Sequence, residues 1–384
     1  MKMSKTAVTL GAVLALAACS DQSPVAGRAP TAAPVLSAGA NGIEGQYIVV
    51  LNEGADPRSV AAVAGVEPGF VYTSALNGFS ASLNQGQLTA LQHNPNVEYI
   101  EQDQVAEATT TQSNATWGLD RIDQRSRPLN GTYVYTRTAS NVYAYIIDTG
   151  IYTGHSQFGG RASNVYDAFG GSGADCNGHG THVAGTVGGS THGVAKAVRL
   201  RGVRVLDCNG SGSFSGIIAG IDWVRLNRVN PAVANLSLGG GYSSSLNTAV
   251  TNLANSGVFV AVAAGNENQN ACNVSPASAP AVTTVAASTS TDARASYSNY
   301  GSCVDLYAPG SSITSTWSNG GTSTISGTSM ASPHVAGVAA LYKSGSTSAS
   351  QSTIDSWIKN NSTTNVITGN PSGTPNRLLY KASL

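Results

Sequence analysis

The sequence predicts an α/β protein: a parallel sheet covered by helices on both faces, preceded by a small α+β unit. Three observations carry this reading. The runs NVYAYIID (141–148), VFVAVAAGN (258–266) and AVTTVAAS (281–288) are nearly continuous in apolar residues, as strands buried on both faces must be. They alternate with amphipathic helical patterns such as SGIIAGIDWVRLNR (215–228) and LNTAVTNLANSG (246–257), and that alternation implies parallel strands joined by crossover helices. A chain of 384 residues, 41% hydrophobic and only 10% charged, is long enough for one large domain and a smaller companion.

In order along the chain, MKMSK is a short basic segment and AVTLGAVLALAAC an apolar stretch. About a dozen apolar residues fall short of the roughly 20 that span a bilayer, so 1–19 reads as an export signal. Its ending LAAC resembles a lipoprotein signal in which Cys19 is lipidated; ordinary cleavage after Ala15-Leu16-Ala17 is the alternative. Residues 20–43, rich in Ala, Pro, Ser and Gly, read as a flexible tether. QYIVVL, ALNGFSASL and NVEYIEQD are strand patterns, with QGQLTALQ a short helix, giving a compact domain over 44–107. ATTTQSNAT marks 108–116 as an exposed linker suited to cleavage. From 117 to 384 strands and helices alternate, through HGTHVAGTVGG, VRLRGVRVL and VANLSLGG to a last helix at SPHVAGVAALYK. In such sheets chemistry gathers at the carboxyl ends of the strands. The sequence has no internal repeat.

The net charge is zero, which gives no reason to expect nucleic acid or an acidic membrane as partner. Residues 1–107 nevertheless carry a net −5 and the remainder +5, as an intramolecular partner would. Apart from Cys19 the cysteines are Cys176, Cys208, Cys272 and Cys303. Four in an oxidising compartment imply two disulfides with three possible connectivities. Pairing in sequence order would close two similar loops, each constraining the unfolded chain by about 3–4 kcal/mol; free buried thiols are the alternative.

Three polar residues break the apolar pattern. Asp148 ends the strand VYAYII, where a carboxylate is costly unless it is partnered; alone it could be a turn residue. His179 lies in NGHGTHVAGT between glycines, and Cys176, His179 and His182 form C-x2-H-x2-H, a possible zinc pattern lacking a fourth ligand. Ser329, in GTSMASPHVAG, stands at a helix start, where serine commonly caps. That position also offers free N–H groups and positive partial charge to a developing oxyanion, with Gly327 leaving room for a substrate. Pro333 would need no donor in a first turn. A serine nucleophile requires a histidine base, which a carboxylate must orient. Asp148, His179 and Ser329 supply these types in the order Asp, His, Ser.

YIIDTGI, NGHGTHVAGT and GTSMASPHVAG together resemble the three active-site blocks of subtilisin-like serine proteases of the proteinase K group, especially aqualysin-like enzymes. The likeness runs on through WGLDRIDQ, GVAKAV, VRVLDCNGSGS, AVAAGNEN, SNYGSCVDLYAPG and PNRLLY, over essentially all of 112–381. It implies that Ser329 is the nucleophile, His179 the base and Asp148 its orienting carboxylate, with Asn266 and the Ser329 N–H forming the oxyanion hole. His182 and His334 match non-catalytic histidines. Gly210, Ser211 and Gly212 on one side and Ser237, Leu238, Gly239 and Gly240 on the other would flank a substrate bound as an added strand. Ala263, Ala264 and Gly265 would line an open, uncharged primary pocket favouring apolar or aromatic side chains.

The front unit, through YIVVL, YTSALNGFSASL and NPNVEYIEQDQV, resembles the inhibitory propeptide of these proteases, removed by self-cleavage between Glu107 and Gln112. Calcium is the implied stabilising cofactor. Asp120, Asp123, Gln124 and Asn130 match one site, and Asp305 with the carbonyls of Pro280 and Val282 a second; solvated carboxylates are the alternative. The implied disulfides are Cys176–Cys208 and Cys272–Cys303. The expectation is a secreted, monomeric endopeptidase, not membrane-bound once mature, that acts on proteins and peptides. Aqualysin-like precursors often continue past the catalytic domain, whereas this chain ends at Leu384, so a secretion step that depends on such an extension is expected to work differently here or not to be needed. The rival readings are a metal-dependent hydrolase on Cys176, His179 and His182, and a non-catalytic binding module.

Overall fold

The computed structural model describes residues 32–39, 42–104 and 110–384. The export signal, Cys19, most of the tether and the expected cleavage region up to 109 lie outside the described residues. The chain divides into two compact units, 1–105 and 106–384.

The first unit contains β1 (Val35–Leu36), β2 (Gly42–Leu51), α1 (Pro57–Val63), β3 (Phe70–Tyr72), β4 (Gly78–Ser82), α2 (Gln85–Gln92) and β5 (Val97–Gln104). The strands form one sheet in the order β1-β5-β2-β4-β3. Val49, Phe79, Leu91 and Ile100 are fully buried between sheet and helices. The folded unit starts earlier than the composition of 20–43 implies: Ala33 is buried in this core, and β1 pairs in parallel with β5. Helix α1 escapes the hydrophobic pattern because its start is set by capping, with Asp56 accepting the N–H of Ser59 at 3.0 Å.

The second unit opens with β6 (Thr110–Ser113), α3 (Trp117–Ile122) and β7 (Thr132–Tyr135). β6 pairs antiparallel with β7, so much of the segment read as an open linker is ordered here. There follow β8 (Tyr143–Asp148), β9 (Ala162–Asp167), α4 (His179–Gly188), β10 (Arg199–Arg204), α5 (Phe214–Asn227) and β11 (Ala232–Leu236). Next come β12 (Gly240–Gly241), α6 (Ser244–Asn255), β13 (Phe259–Ala263), β14 (Val274–Ser275), β15 (Thr283–Ser288) and β16 (Leu306–Pro309). The chain closes with β17 (Ile313–Thr316), β18 (Thr322–Ile325), α7 (Thr328–Gly345), α8 (Gln351–Asn361), β19 (Thr363–Thr364) and β20 (Arg377–Leu378).

Nine strands form the central sheet in the order β19-β20-β16-β15-β13-β11-β8-β10-β9. All neighbours are parallel except β19 with β20. Strands β11, β13 and β15 are buried throughout, as their apolar composition demands. The order runs outward from β8 in both directions, through β10 on one side and β11 on the other. That is a topological switch point, where a crevice opens at the strands' carboxyl ends. Asp148 is the last residue of β8. The two disulfides are Cys176–Cys208 and Cys272–Cys303, the pairing the resemblance implies.

Candidate active site

Three elements converge at the carboxyl end of β8. Asp148 is fully buried, and its Oδ1 accepts the N–H of Thr149 at 2.8 Å and pairs with His179 Nδ1 at 2.7 Å. Because a carboxylate only accepts, His179 carries its proton on Nδ1, which leaves Nε2 as the free base. His179 is the first residue of α4, and its side chain is 24% exposed. Burial opposes the imidazolium, but the charge of Asp148, its hydrogen bond and the charge of Asp175 outweigh it and raise the His179 pKa.

Glycine makes this corner possible. Gly178 caps α4 at φ 112°, and a Cβ there would lie 2.3 Å from the Trp317 ring. A Cβ on Gly180 would lie 2.2 Å from the oxygen of Gly150.

Asp175, which sequence reasoning passed over, locks the corner. Its Oδ1 accepts the Thr149 hydroxyl at 2.8 Å and the N–H groups of Asn177 and Gly178 at 3.0 and 2.9 Å. Its Oδ2 accepts the N–H and hydroxyl of Thr181 at 2.9 and 2.5 Å. One carboxylate therefore ties the end of the Asp148 strand to the start of the His179 helix. The only sequence signal was an aspartate four residues before the histidine, at a place where a helix needs a cap.

Ser329 is the second residue of α7, whose first-turn N–H groups lack intrahelical partners. The helix begins at Thr328, four residues before the apolar run implies, so Pro333 lies in its second turn and not its first. An N–H at 333 would have bonded the Ser329 carbonyl; the Ser237 hydroxyl does so instead, at 2.7 Å. The Ser329 hydroxyl donates to the Ser237 carbonyl at 3.2 Å.

Asn266 Oδ1 accepts both the N–H and the hydroxyl of Thr328, at 2.8 and 3.0 Å. A backbone N–H must face an oxygen, so the amide orientation is fixed and Nδ2 remains as donor. A Cβ built on Gly327 would lie 3.6 Å from the Ser329 nitrogen and 3.7 Å from Asn266 Nδ2. Two donors thus border one open space beside the serine, as an oxyanion hole requires.

Two clefts meet at Leu238 and Gly239. One, of about 460 Å³, is lined by Gly240, Ala263, Gly265, Asn266, Thr328 and Ser329, with Glu267 at its wall. The other, of about 510 Å³, holds His179, Gly210, Ser211, Gly212 and Ser237. Ala264 departs from the expected lining: it is fully buried in an adjoining core cluster with Ala286 and Tyr307.

The zinc-like triplet does not assemble. Cys176 is bonded to Cys208, and fully buried His182 donates from Nε2 to the Ile313 carbonyl at 3.0 Å. Burial pushes the His182 pKa down to about 4, and that of His334 likewise to about 4.

The first expected calcium ligands lie in α3, at its C-terminal end and in the loop that follows. Asp120 is buried and accepts the N–H groups of Asn130 and Gly131 at 3.3 and 2.7 Å. Asp123 Oδ2 accepts the N–H of Val134 at 2.7 Å, while its Oδ1 is buried with no hydrogen-bond partner. Burial raises the Asp123 pKa to about 6. Asn130 Oδ1 holds Thr132, and the Gln124 amide donates to the Pro128 carbonyl at 2.9 Å. A buried, orphaned carboxylate oxygen among oxygen donors fits a hard cation.

A model of the subtilase family matches residues 139–378, and one of peptidase inhibitor I9 matches residues 46–109. The chain is 52% identical over 398 residues to an extracellular serine proteinase of Thermus sp. (strain Rt41A), covering 96% of this chain and 97% of that one. It is also 52% identical over 318 residues to alkaline serine exoprotease A of Vibrio alginolyticus, covering 81% of this chain but 59% of that longer one. A crystal structure of a cold adapted subtilisin-like serine proteinase matches with a TM-score of 0.69 at 53% identity, over 70% of this chain and 99% of the other. With well over half its length matched by the family model and near full-length similarity to the Thermus proteinase, this chain belongs to the subtilase family, as a secreted serine endopeptidase made with its own I9 inhibitory propeptide.

Proposed function

We propose that Ser329, His179 and Asp148 act together as nucleophile, general base and orienting carboxylate. The observation carrying this is the His179–Asp148 pair at 2.7 Å facing the same cleft system as a serine at a helix start. His179 Nε2 takes the Ser329 proton as Oγ attacks the substrate carbonyl, and the resulting oxyanion accepts from the Ser329 N–H and Asn266 Nδ2. His179 then gives the proton to the departing amine, leaving an acyl-serine. Water, deprotonated by His179, attacks the acyl carbon, and the returning proton restores Ser329. The extended edges at 210–212 and 237–240 hold the peptide, and the small residues Ala263 and Gly265 leave room for apolar or aromatic side chains.

The mature enzyme acts as a monomer free in the medium, with everything before the maturation bond, Cys19 included, left behind. Asp120, Asp123, Gln124 and Asn130 would hold a stabilising Ca²⁺, which neutralises the buried carboxylates and takes no part in proton transfer. The reading is tested by expressing wild-type and Ser329→Ala precursors and measuring intact masses. Wild type is expected to lose its front unit near 107–112 while the variant stays full length. Identical trimming of both would overturn self-processing; no trimming together with no peptidase activity would favour the binding-module reading. Chelator is expected to lower the melting temperature of the mature enzyme while leaving its initial rate unchanged.

A further inference from the structure

The resemblance assigns a second calcium site to Asp305 with the carbonyls of Pro280 and Val282, and these residues do line one cavity together with Asp355 and Lys359. A positive group already stands in it. Lys359 Nζ lies 2.6 Å from Asp305 Oδ1 and 2.7 Å from Asp355 Oδ2. The remaining carboxylate oxygens are also engaged. Asp305 Oδ2 accepts the N–H of Thr284 at 2.7 Å, and Asp355 Oδ1 accepts the Thr283 hydroxyl at 2.8 Å. Asp355 and Lys359 stand one turn apart on α8, so the helix delivers the ammonium with one of its partners.

This arrangement does not fit calcium. The ion needs roughly six to eight oxygens at about 2.3–2.6 Å. Seated on Asp305 Oδ1, it would crowd an ammonium already held by that same oxygen. All three side chains are mostly buried, at 22%, 18% and 26% exposure, so solvent screens the repulsion only in part. The cavity's two acidic groups need a counter-charge, and the chain supplies one covalently.

We propose that Lys359 is a tethered cation that replaces calcium at this site, joining α8 to Asp305 just before β16, while its two carboxylate partners bond the start of β15. The linkage cannot be stripped by a chelator, and it confines calcium dependence to the end of α3 that carries Asp120 and Asp123. Nothing in it depends on the proteolytic mechanism.

The test uses mature enzyme blocked with a serine-directed sulfonyl fluoride, with calcium binding counted by titration calorimetry and melting followed with and without calcium. Asp305→Asn is expected to leave the number of calcium ions bound by the wild type unchanged. Lys359→Met is expected to bind one more, and its melting temperature to rise by about 5 °C between chelator and millimolar calcium. Adding Asp305→Asn to that variant should abolish both effects. Loss of one ion on Asp305→Asn in the wild type would overturn the proposal, as would a folded Lys359→Met protein that binds no extra ion. If Lys359→Met fails to mature, the Asp305→Asn titration decides alone. Calcium at Asp120 and Asp123 enters every variant equally, so an absent first site changes the baseline and not the difference.

Discussion

The hydroxyl of Ser237 donates to the main-chain oxygen of Ser329 at 2.7 Å, the oxygen that Pro333 leaves without an intrahelical donor. Behind it, Asn235 Nδ2 donates to Ser237 at 2.8 Å, and Ser332 donates to Asn235 at 2.7 Å. A buried relay therefore links β11, the substrate edge and the first two turns of α7. Ser237→Ala leaves a buried carbonyl unpaired, at a cost of about 1–3 kcal/mol, and should slow acylation. Pro333→Ala in the same background returns an N–H to that carbonyl and should recover part of the loss. Melting temperature and single-turnover acylation of the two single variants and the double decide it; additive losses would show that the two groups do not share an acceptor.

The proposed oxyanion donors give a second prediction. Asn266→Ala should lower kcat by about 10²–10³ with little change in KM, because the lost donor acts mainly in the transition state. Thr328→Val keeps the N–H that bonds Asn266 but removes the hydroxyl, so its effect should have the same signature and be smaller. A rise in KM with kcat intact would assign Asn266 to ground-state binding.

The apolar strands and the positions of Asp148, His179 and Ser329 were legible because each breaks a periodic pattern at a strand or helix end. What was not legible depended on contacts distant in sequence. Thr328 gives no sign in sequence that it turns the Asn266 amide, 62 residues away. Ala264 reads like Ala263, yet one residue past the end of β13 it is packed fully into the core. Helix α7 starts early because Thr328, fixed by Asn266, and Gly327, held by the Gly310 carbonyl, are set by these bonds and not by hydrophobic period. The ammonium of Lys359 lies in an ordinary amphipathic helix, and only the fold brings Asp305 to it.

Asp175 should contribute to the pH dependence. Against burial, the charge and hydrogen bond of Asp148, with a smaller contribution from the charge of Asp175, hold the His179 pKa above the ordinary 6.5. Catalysis needs neutral His179, so the acid limb of kcat/KM should have its midpoint above that value. Asp175→Asn removes one negative charge and should lower the midpoint, while kcat falls as the helix start loosens. A variant that loses activity with an unmoved midpoint would show that Asp175 acts through structure alone.

Acid stability follows from the two histidines that do no chemistry. His182 and His334 are buried, and burial holds both pKa values down near 4. His334 donates from Nδ1 to the Met330 carbonyl at 2.8 Å, and its Nε2 packs so closely on Gly118 that a Cβ there would lie 2.7 Å away. In the unfolded chain each histidine titrates near 6.5, so between about 6.5 and 4 the unfolded state binds more protons. Stability from these groups is complete above 6.5 and falls as pH drops towards 4, by up to about 3 kcal/mol for each histidine. His179, with its pKa raised, acts only above 6.5; within the window Asp123, whose pKa burial raises to about 6, works in the opposite direction, so two groups oppose one. Melting temperatures of the inhibited mature enzyme from pH 8 to 4 should decline through this window, and a flat profile would mean that one or both rings take up a proton without unfolding.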